Sequence, residues 1–119
     1  MNLPNEVAQA ADALLTALRD TETFQTYEML KASVMADEVN RRLLERFMRA
    51  QTALQMAAMA GSEPREEDTA EFEKLSALLY QSPEVTDFLL AQMRVQQLVA
   101  QTMSRITGEA GISIEIREA

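Results

Sequence analysis

Six acidic side chains, Glu63, Glu66, Glu67, Asp68, Glu71 and Glu73, crowd into eleven consecutive residues, and carboxylates at that density are the raw material of a hard-cation site. The segment lacks the alternating oxygen ligands and central glycine of an EF-hand loop, so it reads instead as a solubilising loop. Hydroxyl nucleophiles are present at Ser33, Ser62, Ser76, Ser82, Ser104 and Ser113, but the chain contains no His to activate any of them. It contains no Cys either. A thiolate nucleophile, a disulfide, a Cys/His zinc site, a haem-ligating imidazole and an imidazole base are therefore all excluded. Carboxylate pairs of glycosidase type arise by chance in a chain this acidic. The three glycines, Gly61, Gly108 and Gly111, form no phosphate-cradling loop. The residues thus point away from catalysis, and no cofactor or metal is expected.

Two other side-chain sets carry more information. At about 100° per residue, Leu43, Leu44, Phe47, Ala50, Gln51, Leu54 and Ala58 share one arc of a helix, the expected core face. Met48, Met56 and Met59 lie off that arc. Methionine fills gaps in cores, but this set reads as a second apolar surface that meets another subunit or a partner. Arg42, Arg46 and Arg49 form a basic stripe away from the core. Ion pairing with Glu38 and Glu45 on the same helix is one reading of the stripe; docking to an acidic partner or to RNA phosphates is the other.

These sets must be positioned by helices, because every Gly and Pro sits where helical periodicity starts or stops. Nothing between Asn5 and Ala60, or between Glu84 and Thr107, breaks a helix outright. A first helix is expected over Asn5 to Arg19, with Val7, Ala11, Leu14, Leu15 and Leu18 on one face. Its phase breaks at Asp20-Thr21-Glu22-Thr23, where cap chemistry takes over. A second helix follows over about Glu22 to Met35. Asp37 is the expected N-cap of a third, which runs to about Ala60 and stops at Gly61. Asp68 with Glu71 resembles the capping box of a fourth, whose inner face carries Phe72, Leu75, Leu78 and Leu79. Ser82-Pro83-Glu84 starts a fifth, which ends near Thr107 and Gly108. Residues 108–119 read as a C-terminal tail in which Ile112, Ile114 and Ile116 alternate. Gln92 and Gln96 interrupt the apolar stripe of the fifth helix and Gln51 that of the third. They either pair to set register between the two long helices or lie at a wet edge.

Composition agrees. Of the 119 residues, 47% are hydrophobic and 25% charged, an ordinary globular mixture, while only 5% are aromatic, so Leu, Ala, Val and Met must fill the core. The net charge of −8 disfavours direct binding to nucleic acid or to anionic membranes. No apolar run approaches the roughly 20 residues of a membrane span, and the first residues lack the pattern of a signal peptide, so a cytoplasmic location without membrane insertion is expected.

The order of these residues resembles the YlbF/YmcA family of small helical regulators of Gram-positive bacteria, in particular its short YheA-like members. The resemblance rests on Asp20-Thr21-Glu22-Thr23-Phe24, then Phe47-Met48-Arg49-Ala50-Gln51, Leu54-Gln55 and Met59-Ala60-Gly61. The acidic loop and a last helix from Pro83 containing Ala91-Gln92 complete it, so it covers roughly residues 5–107. It implies a helical bundle, commonly oligomeric and without enzymatic activity. Better-studied members are similar to adaptor subunits that act with the membrane-bound ribonuclease RNase Y in mRNA processing, and influence competence, sporulation and biofilm formation. Those members carry C-terminal cysteines associated with iron–sulfur clusters; this chain has no cysteine, so no cluster carries over.

The sequence therefore sets out an all-α protein: an elongated bundle of about five helices with two long antiparallel ones, in one domain over residues 1–119. The two long helices, at 1.5 Å per residue, would each be about 35 Å long, against a radius of gyration of about 13–14 Å for a compact chain of this size. Self-association, as a homodimer, follows as the natural expectation. The functional reading is a non-enzymatic regulatory adaptor acting through helix-mediated protein association, with protein partners in an RNA-processing complex. The rival is an RNA-contacting accessory subunit of a ribonuclease complex.

Overall fold

The structure is a computed structural model that describes residues 2–111. Those residues form five helices and no strand: α1 (Asn5–Arg19), α2 (Glu22–Ala36), α3 (Glu38–Met59), α4 (Glu66–Leu79) and α5 (Pro83–Ala110). The alternating Ile112, Ile114 and Ile116 lie outside the described residues.

Local chemistry accounts for most of the boundaries. Thr21 closes one helix and opens the next with a single hydroxyl: its Oγ1 donates to Leu18 O at 2.6 Å and accepts from Phe24 N at 3.2 Å. Asp37 caps α3 as expected, its Oδ1 accepting from Asn40 N at 3.1 Å. At the other end of α3, Gly61 adopts φ +69°, a conformation only glycine takes without strain. That turn lets Gly61 N donate to Ala58 O and Ser62 N to Ala57 O, the paired bonds of a Schellman stop.

Three expectations need correction. Asp68 does not cap α4. The helix begins at Glu66, and Asp68 sits in a first turn with Glu66 and Glu67, where three carboxylates face the positive end of the helix dipole. Glu71 cannot complete a capping box because its carboxylate is held by Arg46 of α3. Nor does Gly108 end α5. Glycine inside a helix costs only about 1 kcal/mol, so α5 runs to Ala110 and Gly111, at φ +69°, makes the stop. Third, Gln51 and Ala58 are exposed and do not share the core face of α3. The covered positions are Leu43, Leu44, Phe47, Ala50, Ala53, Leu54 and Ala57, a stripe stepping mostly by three residues that drifts around the helix as it ascends.

The described residues fall into two compact units. The second comprises Leu30–Leu89, and it holds a closed core. Within it α3 and α4 pack along one another, with the Phe47 and Phe72 rings stacked at 5.3 Å and 26°. Val34, Leu44, Phe47, Ala50, Leu75, Leu79, Val85 and Phe88 are buried there. The first unit takes in residues 2–29 and 90–111. Ala91 is its only buried residue among those described, and α1 contains none.

Of the seam glutamines, Gln51 and Gln96 are exposed and Gln92 is half-buried. They occupy a wet edge in this chain, and no buried side chain among the described residues is polar or charged. Leu75→Ala, at a fully buried position, is expected to lower unfolding stability by about 2–5 kcal/mol, and Gln51→Ala by less than about 0.5 kcal/mol. Urea denaturation of the two variants checks both.

Candidate functional site

Going around α3 at about 100° per residue, the buried face, the arginines and the methionines occupy separate sectors. Leu44, Phe47 and Ala50 mark the buried sector. Met48, Met56 and Met59 fall within an arc of roughly 80°, its centre about 140° from that of the buried sector. All three side chains are open to solvent, at 40%, 65% and 84% relative exposure. Unbranched thioethers presented side by side make an adaptable apolar surface, able to mould to helices of differing shape.

The arginine sector lies between the two, and the structure shows what each guanidinium does. Arg42 pairs with Glu38 one turn earlier at 2.7 Å. Arg46 reaches across to Glu71 of α4 at 2.6 Å, and so clamps the two helices of the core together. Arg49 Nε donates to the backbone carbonyl of Glu45 at 3.4 Å. Both ion pairs are substantially exposed, so each is worth little to stability. Their effect is to neutralise two of the three cations that an RNA phosphate would seek.

A polar network with no local signature among the residues joins the starts of α3 and α5. Asn40 Nδ2 donates to Glu84 Oε2 at 2.8 Å, and Ser82 Oγ donates to Asn40 Oδ1 at 3.0 Å. The Ser82 hydroxyl, expected as a simple helix cap, thus serves a bond 42 residues away in sequence. The network borders an open groove of about 980 Å³ whose walls include Val39, Leu43 and Leu78. Its chemistry is structural: an amide faces the serine, and an amide does not act as a general base. Pairings over such sequence distances leave no local signal, which is why spacing could not reveal them. The acidic run from Glu63 is divided between the loop and α4, and no group of three or more acidic side chains among the described residues converges on a metal-sized site.

The family model described as control of competence regulator ComK, YlbF/YmcA, matches residues 7–109. A UPF0342 protein of Bacillus pumilus is 33% identical over 95 residues, 80% of each chain. The UPF0342 protein YheA of Bacillus subtilis is 33% identical over 88 residues, 74% of this chain and 75% of its own. A UPF0342 protein of Caldicellulosiruptor bescii is 24% identical over 112 residues, 94% of this chain and 91% of its own.

Asn40→Ala, which removes both long-range bonds, is expected to cost about 1–2 kcal/mol, whereas Arg42→Ala should cost less than about 0.5 kcal/mol; chemical denaturation distinguishes them. With Arg42 and Arg46 ion-paired on a chain of charge −8, no RNA mobility shift is expected even at low salt. A shift that disappears on replacing Arg42, Arg46 and Arg49 by Ala would reverse that expectation.

Proposed function

The chain belongs to the YlbF/YmcA family, and from that premise we propose that it is a non-enzymatic regulatory adaptor whose α3 methionine flank docks a partner protein in the cytoplasm. The observation that carries the reading is the flank itself. Met48, Met56 and Met59 stand exposed on one side of the helix that builds the core with its other side. A partner helix laid on that flank would be held by apolar contact and positioned by a rigid support.

The family's link to control of the competence regulator ComK supports a regulatory role. The finer reading is that the docked partner belongs to the mRNA-processing machinery built around RNase Y, and that the chain influences competence, sporulation or biofilm formation through it. Protein contact is favoured over direct RNA contact by the net charge of −8 and by the pairing of Arg42 and Arg46. Among the described residues no helix is long and apolar enough to cross a membrane, so attachment to a membrane-bound ribonuclease would run through protein contact.

Affinity capture of the tagged chain from its native cell tests this. The wild type should recover RNA-processing proteins, and Met48→Glu/Met59→Glu should lose them while its circular dichroism stays unchanged. Equal recovery by the double variant, or turnover of a small substrate by the purified chain, would contradict the reading.

A further inference from the structure

The arginines of α3 divide by what the fold does with them. Arg42 and Arg46 are taken by carboxylates of the chain itself, Glu38 and Glu71. Arg41 makes no ion pair among the described residues, and Arg49 reaches only the backbone carbonyl of Glu45. The Glu45 carboxylate meets no cation among the described residues either. Helix chemistry accounts for part of this. A Glu placed four residues before an Arg is the stronger order for an ion pair, as in Glu38 and Arg42, and Arg41 before Glu45 is the weaker one.

Arg41, Glu45 and Arg49 are exposed and lie on the methionines' side of α3. At about 100° per residue, Arg41 stands about 20° and Glu45 about 60° around the helix from Met48, inside the arc that ends at Met56, and Arg49 about 20° beyond it. From its start, the flank thus presents cation, anion and cation at four-residue intervals, about 6 Å apart along the axis. Met48 is set among them, and Met56 and Met59 follow.

We propose that the partner docked on this flank is a helix of a different protein that carries carboxylate, cation and carboxylate at four-residue intervals beside an apolar stripe. The proposal rests on the adaptor reading and states the chemistry of its partner. Charge complementarity commits the occupant. Methionines mould to many shapes, so they select poorly among apolar helices. Selection falls to the charges set among them, which attract the opposite pattern and repel the same one. The triplet has the same order from either end, so its complement fits a helix running in either direction. At physiological salt a charge is screened over about 8 Å, so each member of the triplet acts locally, and the net charge of −8 does not forbid the contact.

A second copy does not supply the complement. Antiparallel flanks bring methionine to methionine when Met48 faces Met56, and there Glu45 faces Met59 and Arg49 faces Gln55. The charges then lose water and gain no partner. The antiparallel register that pairs Glu45 with Arg49 lays Met56 against Glu38 instead, and parallel flanks in register oppose like charges.

Fluorescence anisotropy with two stapled helical peptides tests the proposal. Both carry leucines on either side of a charged triplet, which is Glu, Lys, Glu at four-residue spacing in one and Lys, Glu, Lys in the other. The full chain should bind the first at least about tenfold more tightly at low salt, and the ratio should shrink as salt rises. Arg41→Glu/Glu45→Arg/Arg49→Glu should invert the preference, which loss of folding cannot do. The milder Arg41→Gln/Arg49→Gln should flatten it, and Met48→Glu/Met59→Glu should bind neither peptide. Equal affinities, no binding to the wild type, or a preference that survives the charge exchange would overturn the proposal. So would a smaller assembly mass for Met48→Glu/Met59→Glu than for the wild type in light scattering, the mark of a flank covered by a second copy. The adaptor reading is judged separately: it stands if that methionine variant loses the wild type's captured partners, even where the two peptides bind alike.

Discussion

An apolar helix face left in water costs free energy in proportion to its area, about 25 cal/mol for each Å², and every feature of this molecule follows from where that cost is met. The chain is almost bare of other means. It has no disulfide, no Cys/His metal site, few aromatic rings and, among the described residues, no buried polar side chain. Stability must come from pressing aliphatic faces together. Residues 30–89 do this internally, with α3 and α4 packed around Phe47, Phe72 and Leu75. The helices of the other unit carry equally regular apolar faces but keep them largely open, with Ala91 alone buried among the described residues.

That contrast gives the functional reading its physical basis. An enzyme spends its polar groups on converging geometry in a water-excluding pocket. Here several polar groups of the second unit are used for joining helices: Arg46 to Glu71 between α3 and α4, and Asn40 to Ser82 and Glu84 at the starts of α3 and α5. What is left for other molecules is apolar helix surface of two kinds. One is a methionine flank on a well-anchored helix, suited to partners of varied shape. The other is the apolar face of α1 and of the last turns of α5, where Val7, Leu15, Val99, Met103 and Ile106 stay exposed.

Much of this architecture was legible in the residues. Helix starts and stops were readable wherever the chemistry is local: the hydroxyl of Thr21, the carboxylate of Asp37, and Gly61 after the last turn of α3. The separation of Met48, Met56 and Met59 from the core followed from angular arithmetic alone. What the sequence misplaced depends on distant partners. Asp68 and Glu71 resemble a capping box, but Arg46 captures Glu71 from another helix. Gln51 and Ala58 fall on the expected arc of α3, yet the covered stripe drifts to Ala53 and Ala57. Gly108 looks like a stop, but it is carried within the helix, and the left-handed turn that ends α5 is made by Gly111. The Asn40 network was invisible for the same reason: its bonds span more than forty residues.

The central claim is that part of this chain's apolar surface is completed only by another chain, and the concentration dependence of unfolding tests it most directly. Folding linked to assembly obeys mass action, so the urea midpoint followed by helicity must rise as the wild-type protein is concentrated. A midpoint that climbs steadily across a broad dilution series is the expected result. A midpoint that stays constant over the same series would show that the single chain is complete by itself, and would contradict the account.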